Sequence, residues 1–168
     1  MVLANLVGAG YRGAVLPVNP AAAQAGELLE GLAPLASSAQ LPAGVDLAVV
    51  CLPREQALPE IETLARRGVR AAIVLAAGFR ETGRQGFLAE QELTRIAGEA
   101  GMLLLGPNSL GLINTACNLN VKASLKTQSG QLPDIGFSQW WKAYPPDKVS
   151  AWMPVHLRPP QADGGGRA

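Results

Sequence analysis

The sequence has little that would bind a metal, span a membrane or attract a polyanion. Its 168 residues include one histidine and two cysteines. Cys51 and Cys117 lie far apart with no Cys-x-x-Cys motif, which argues against a zinc site or a disulfide scaffold and favours a cytoplasmic location. No apolar run approaches the roughly 18 residues that a membrane-spanning helix needs. Fourteen basic side chains nearly balance thirteen acidic ones, so we expect no nucleic-acid partner and no membrane partner.

Apolar residues are plentiful enough for a packed core, at 48% of the chain against 16% charged residues. Four short segments are apolar on both faces, at residues 14–18, 47–52, 71–75 and 102–105. Uninterrupted apolar runs are typical of parallel strands that helices cover on both sides. The pattern therefore predicts an α/β fold with a doubly wound, Rossmann-like parallel sheet.

Helical patterns separate these predicted strands. Two clear ones run from about residue 55 to 67 and from about 85 to 100, each with apolar residues on one face, and a weaker one covers residues 21–30. On the second helix that face includes Ala97 and Ala100. Gly68 and Gly101 follow the two clear helices, where a left-handed cap is expected.

Residues near the start of the chain match a dinucleotide-binding motif, but the residues that follow them do not fit the structure that this motif requires. Gly8 to Gly13 fit G-x-G-x-x-G, whereas Pro17 and Pro20 prevent the helix that must follow such a loop. We expect instead a helix at residues 2–7 and a turn, which makes an NAD(P)-dependent oxidoreductase the least favoured function. Because a doubly wound sheet has its first strand in the centre, we also expect that strand to be missing here and a partner or dimer to cover the gap.

In an open α/β sheet, ligands bind beyond the carboxyl ends of the strands. The segments at those positions are Val18-Asn19-Pro20, Leu52-Pro53-Arg54, Ala76-Ala77-Gly78-Phe79-Arg80 and Gly106-Pro107-Asn108-Ser109-Leu110-Gly111. Purely structural roles stay open for several of them. Asn19, Asn108 and Ser109 can cap turns, and Pro53 can begin a helix. Arg54 and Arg80 can be solvated charges or can meet a phosphate.

Together these segments resemble the CoA-binding domain of NDP-forming acyl-CoA synthetases, which are the acetate–CoA ligases of the succinyl-CoA synthetase superfamily. The resemblance also rests on Asp46-Leu47-Ala48-Val49-Val50 and Asn118-Leu119-Asn120. With serine at Ser109, the chain is similar as well to the ligase-like half of protein lysine acetyltransferases that carry a GNAT domain. The resemblance covers about residues 1–139. It implies a CoA-binding Rossmann-like domain at 1–124 and the start of a second, flavodoxin-like ligase domain at 125–139.

The resemblance implies that coenzyme A or an acyl-CoA lies along the carboxyl edge of the sheet. The implied contacts are Asn19 and Pro20 at the adenosine phosphates, Leu52 and Pro53 on the nucleotide, Ala77, Gly78 and Phe79 along the pantetheine, and Asn108 and Ser109 near the thioester. The sequence contains no acid–base pair, catalytic triad or metal-binding cluster, so we expect no catalytic residue and no metal ligand in this chain.

The implied activity belongs to the intact ligase, which interconverts acyl-CoA, NDP and phosphate with the free acid, CoA and NTP. ATP or ADP would bind outside this chain, on other ligase domains or subunits, and the chain alone is expected to be inactive. The alternative is a noncatalytic, CoA-sensing regulatory domain of a protein acetyltransferase.

The sequence departs from the family pattern in three places. Ala21-Ala22-Ala23 replaces a basic residue that often follows the Asn-Pro pair, and the family's first strand would precede Met1. The third departure concerns residues 140–168, which contain every tryptophan and the single histidine, His156. This segment is rich in proline, so we expect an irregular tail, with His156 as a bystander rather than the phosphate-relay histidine of the family.

Overall fold

The computed structural model describes residues 2–123, which form four helices and five strands together with two short 3-10 turns, Ser38–Gln40 and Arg80–Thr82. In chain order the elements are α1 Val2–Gly8, α2 Pro20–Ala25, β1 Leu47–Val50, α3 Arg54–Arg66, β2 Ala71–Val74, α4 Arg84–Glu99, β3 Leu103–Leu105, β4 Ile113–Asn114 and β5 Leu119–Asn120. The domain boundary at 124, the second ligase domain at 125–139 and the tail at 140–168 lie outside the described residues.

The main sheet contains β1, β2 and β3, all parallel and in that order. In its register, Leu47 lies opposite Ala71, and Ala71 lies opposite Leu103. The crossover helices α3 and α4 connect these strands, which confirms the predicted α/β fold with a parallel sheet. A separate two-stranded antiparallel hairpin is formed by β4 and β5.

The strand predicted at residues 14–18 does not form. The β contact of this segment is an isolated parallel bridge between Val18 and Leu35, where the Leu35 N–H donates to Pro17 O over 2.8 Å and the Asn19 N–H donates to Leu35 O over 2.9 Å. A strand needs a partner along its whole length, and Pro17 offers no N–H for a ladder. The segment is therefore extended without being a strand.

The helices follow their predicted positions closely. Helix α1 is present where the glycine motif would need a strand, so the dinucleotide loop is excluded as the sequence indicated. Gly68 and Gly101 take the expected left-handed conformation, with φ of 72° and 65°. The weak helix is shorter than predicted because α2 stops at Gly26, whose φ is 68°. Ala100 lies exposed just beyond α4 rather than on its apolar face.

The core consists of two apolar clusters, one on each face of the main sheet. Ala72 and Val74 of β2 pack into the cluster beneath α3 and α4, where Ile61 and Leu93 are fully buried. Ile73, between them in sequence, packs into the other cluster with residues from α1 and β5. Successive residues of a strand point to opposite faces, so both faces of β2 are covered. This is the arrangement that its continuous apolar sequence predicted.

Candidate functional site

A groove lies at the carboxyl ends of β1 and β2, which share one edge because the strands are parallel. Its volume is about 620 Å³, within the usual range for small-molecule sites. Its lining is mostly apolar and consists of Val2, Leu3, Cys51, Leu52, Pro53, Leu75, Ala76, Ala77 and Ala123. The structure thus brings three of the predicted site residues together in one concavity.

The turn after β2 is held in place by the start of α3. The Arg54 guanidinium donates to Gly78 O over 2.7 Å and also contacts the Glu55 carboxylate at 2.9 Å. Gly78 has a φ of 100°, which favours glycine, and its N–H donates to Glu81 Oε1 over 2.5 Å. That hydrogen bond lowers the pKa of Glu81, so its carboxylate stays ionised at neutral pH. Arg54 therefore fixes the backbone that borders the groove.

The second arginine near this edge is also paired within the protein. Arg80 contacts Glu90 at 2.6 Å and lies over the Phe87 ring, 5.8 Å from its centroid. This pairing lowers the pKa of Glu90 and raises that of Arg80. Neither Arg54 nor Arg80 is simply solvated, because each is hydrogen-bonded to protein groups.

The turn after β3 is fastened to the end of β2. The Asn108 N–H donates to Ala76 O over 2.7 Å, and the Ser109 N–H donates to Val74 O over 3.3 Å. Ser109 Oγ accepts from the Gly111 N–H over 3.1 Å, so this hydroxyl has the turn-capping role that the sequence also allowed. Asn108 is thus bonded to a residue that lines the groove, Ala76, whereas Ser109 is bonded to Val74, which does not line it.

Two predicted site residues lie on a different segment. Asn19 caps α2, since its Oδ1 accepts the Ala22 N–H over 3.1 Å, and Pro20 is the first residue of that helix. Neither Asn19 nor Pro20 is among the residues that line the groove, and among the described residues no hydrogen bond joins them to its lining. Pro53 is likewise structural in part, because it occupies the cap position just before α3 rather than the first helical position.

The side chain of Phe79 points into the core. Its side chain is fully buried, at 0% exposure, in the cluster beneath α3 and α4. It therefore does not line the groove, and its backbone is the part that lies near Gly78. Position in sequence could not show this, because a residue next to a glycine turn can direct its side chain either to the core or to solvent.

Six groove residues were not among the predicted contacts. Cys51, Leu75 and Ala76 follow the strands, so their position after β1 and β2 was an available signal. Burial raises the pKa of the Cys51 thiol, which stays protonated at neutral pH. The other three, Val2, Leu3 and Ala123, come from the two ends of the described chain. Asn5 Nδ2 donates to Lys122 O over 3.1 Å and helps hold these ends together, and no local pattern reveals such a contact.

Residues 1–115 match the protein family described as CoA binding domain. The chain belongs to this family. Among solved structures, this CoA-binding domain is 36% identical to a dinucleotide-forming acetyl-coenzyme A synthetase from Ca. Korarchaeum cryptofilum in complex with phosphate and ADP, with a TM-score of 0.66. That match covers 72% of this chain and 25% of the synthetase chain.

Curated relatives are CoA ligases and a CoA synthase. The domain is 42% identical over 113 residues to a trans-feruloyl-CoA synthase from an unidentified prokaryote. It is 33% identical over 147 residues to the α subunit of ADP-forming acetate–CoA ligase II from Pyrococcus furiosus. The matches cover 67% and 76% of this chain but span 15% and 31% of those relatives. The resemblance to NDP-forming acyl-CoA synthetases is thereby confirmed. The chain spans less than a third of the length of these two relatives.

Within residues 2–123, every helix is too short or too polar to cross a bilayer.

Proposed function

We propose that this CoA-binding domain holds CoA or an acyl-CoA in the groove at the carboxyl ends of β1 and β2. The supporting observation is that this concavity occupies the ligand edge of the parallel sheet in a chain whose CoA-binding family match covers residues 1–115. An apolar groove of this volume suits the long, partly apolar pantetheine arm, and the neighbouring turns provide polar backbone groups.

The proposed contacts follow the order of the strands. Leu52 and Pro53 pack on the nucleotide, Ala77 and the Gly78 backbone border the pantetheine, and Asn108 and Ser109 lie near the thioester. Asn19 and Pro20 are proposed to border the adenosine phosphates from their separate segment. Phe79 contributes by supporting the turn from the core, since its side chain is fully buried.

In this proposal the domain is the CoA-binding module of a cytoplasmic, NDP-forming acyl-CoA synthetase. The intact enzyme would convert acyl-CoA, NDP and phosphate to the free acid, CoA and NTP, with ADP or ATP bound by other domains or subunits. The names of the relatives favour this reading over the noncatalytic acetyltransferase domain, because they are ligases and a synthase. The oxidoreductase hypothesis depends on the glycine motif, which needs a strand directly before it. The structure has helix α1 at that position instead.

Calorimetric titration of the full chain should show saturable binding of CoA and none of NADH. A matched pair of variants, Ala77→Asp and Ala43→Asp, tests whether CoA binds in the groove. Each variant adds one negative charge at an exposed alanine. Ala77 lines the groove whereas Ala43 lies in a turn outside it. We expect Ala77→Asp to weaken CoA binding about tenfold or more, through crowding and repulsion of the anionic cofactor.

Ala43→Asp should leave the CoA affinity within about twofold of the original value. Saturable binding of NADH in place of CoA would overturn the proposed function. Equal weakening by both alanine substitutions would overturn the proposed location, because general repulsion would then explain the effect without the groove.

A further inference from the structure

The outer face of α4 carries a groove of about 540 Å³, here named the α4 groove, which shares no lining residue with the groove proposed for CoA. Phe87, Gln91, Thr94 and Gly98 line it, and all four are exposed. Their spacings of four, three and four residues place them in one stripe along the helix. Phe87 is 42% exposed and Leu88 beside it is 52% exposed, so one end of the stripe carries two large apolar side chains.

The charged side chains around the α4 groove are paired within the chain. Arg80 contacts Glu90 at 2.6 Å, and Arg95 contacts Glu92 and Glu99, each at 2.6 Å. A small anion would have to displace one of these carboxylates before it could bind an arginine. The α4 groove is therefore better suited to another polypeptide surface than to a charged small molecule.

The stripe is complementary to a second copy of itself. Phe87 and Gly98 lie equally far from the midpoint of the stripe, and so do Gln91 and Thr94. A twofold axis at that midpoint pairs two α4 helices antiparallel, with Phe87 of each copy over Gly98 of the other. A Cβ built at Gly98 would meet no atom within 4 Å, so a hollow is present where the Phe87 ring of the second copy would lie.

Charge complementarity supports the same pairing. Arg84 and Glu99 lie at opposite ends of α4 on the same side of the stripe, so the twofold axis brings Arg84 of one copy toward Glu99 of the other. Arg84 has no ion-pair partner within residues 2–123. Near the midpoint, the Gln91 amide of one copy can donate to Thr94 Oγ1 of the other, since this hydroxyl donates its own proton to Glu90 O over 2.9 Å. The symmetry forms each of these contacts twice.

We propose that the α4 groove is an interface between two copies of this chain, formed by antiparallel α4 helices around a twofold axis. One helix pair buries less surface than a permanent dimer needs, so the dimer is transient, with a dissociation constant on the order of 10–100 µM. No residue that lines the CoA groove takes part in this interface.

Sedimentation velocity of the full chain between about 5 µM and 500 µM should show a shift from monomer to dimer. Over the same range of concentration, ¹H–¹⁵N NMR spectra should show movement of the amide signals of Phe87, Gln91, Thr94 and Gly98. The amide signal of Leu119, which packs on the other face of the main sheet, should stay unchanged.

Charge reversal locates the interface. Arg84→Glu and Glu99→Arg should each weaken dimerisation about tenfold, because each brings like charges together twice. Both substitutions suit the helix dipole, with an anion at the start of α4 and a cation at its end, so the helix should stay folded. The double variant, Arg84→Glu with Glu99→Arg, should restore the dissociation constant to within about threefold of the original value.

The matched control is Arg12→Glu, at an exposed arginine outside α4, which changes the net charge of the chain by the same amount as Arg84→Glu. It should leave the dissociation constant within about twofold of the original value. A chain that stays monomeric up to about 500 µM would overturn the inference. Equal weakening by Arg12→Glu and Arg84→Glu would overturn it as well, and so would a double variant that dimerises no more tightly than the single variants, because dimerisation would then use another surface.

Discussion

Replacement of Phe79 by alanine should lower the free energy of unfolding by about 3–5 kcal/mol, which is the usual cost of removing a large buried side chain. Phe79 has 0% exposure and packs in the cluster that joins α3, α4 and the sheet. Urea denaturation of the full chain, followed by circular dichroism, measures this change through the midpoint of the transition.

The matched control for this experiment is Phe87→Ala. Phe87 is 42% exposed and its ring contacts the Arg80 guanidinium, so its removal should cost about 1 kcal/mol. Similar losses in the two variants would contradict the assignment of Phe79 to the core. In that case Phe79 would again be a candidate for a ligand-lining side chain.

Replacement of Gly86 by alanine should destabilise the chain by about 2–3 kcal/mol, because added volume at a tightly packed site forces the backbone to shift. A Cβ at Gly86 would overlap the carbonyl oxygen of Phe79 and crowd Thr82 Oγ1. Both belong to the turn that borders the groove, so CoA affinity should fall together with stability. Thermal unfolding and calorimetric titration of the same sample measure the two effects.

Gly98 provides the control within the same helix. A Cβ there would meet no atom within 4 Å, so Gly98→Ala should stabilise the chain by about 0.5–1 kcal/mol through higher helix propensity. The signs of the two glycine substitutions should therefore differ. Stabilisation by both would show that the turn does not pack against α4 as described.

Uninterrupted apolar runs were sufficient to predict the three main strands, and helical periodicity was sufficient to predict both long helices. Ala71 to Val74 are apolar on both faces because α3 and α4 cover one face and α1 and β5 the other. The prediction of a strand at residues 14–18 was wrong, because apolar composition does not show whether a partner strand exists along the whole segment. Val18 has such a partner at one position, Leu35.

The site could be predicted in part for a related physical reason. Parallel strands end at one edge, so Leu52, Pro53 and Ala77 were identifiable from their place after β1 and β2. Side-chain direction is set by packing, which the linear sequence does not contain, so the burial of the Phe79 side chain could not be predicted. The contributions of Val2 and Ala123 depend on contacts between distant parts of the chain, such as that between Asn5 and Lys122.

A ¹H–¹⁵N NMR titration of the full chain with CoA shows which residues CoA contacts. We expect the amide signals of Cys51, Leu52, Ala77 and Gly78 to shift in proportion to bound CoA. The amide of Gly98, on the outer side of α4, should stay unchanged. Shifts centred on Gly98 and its helix, with the groove amides unchanged, would contradict a CoA site in the groove.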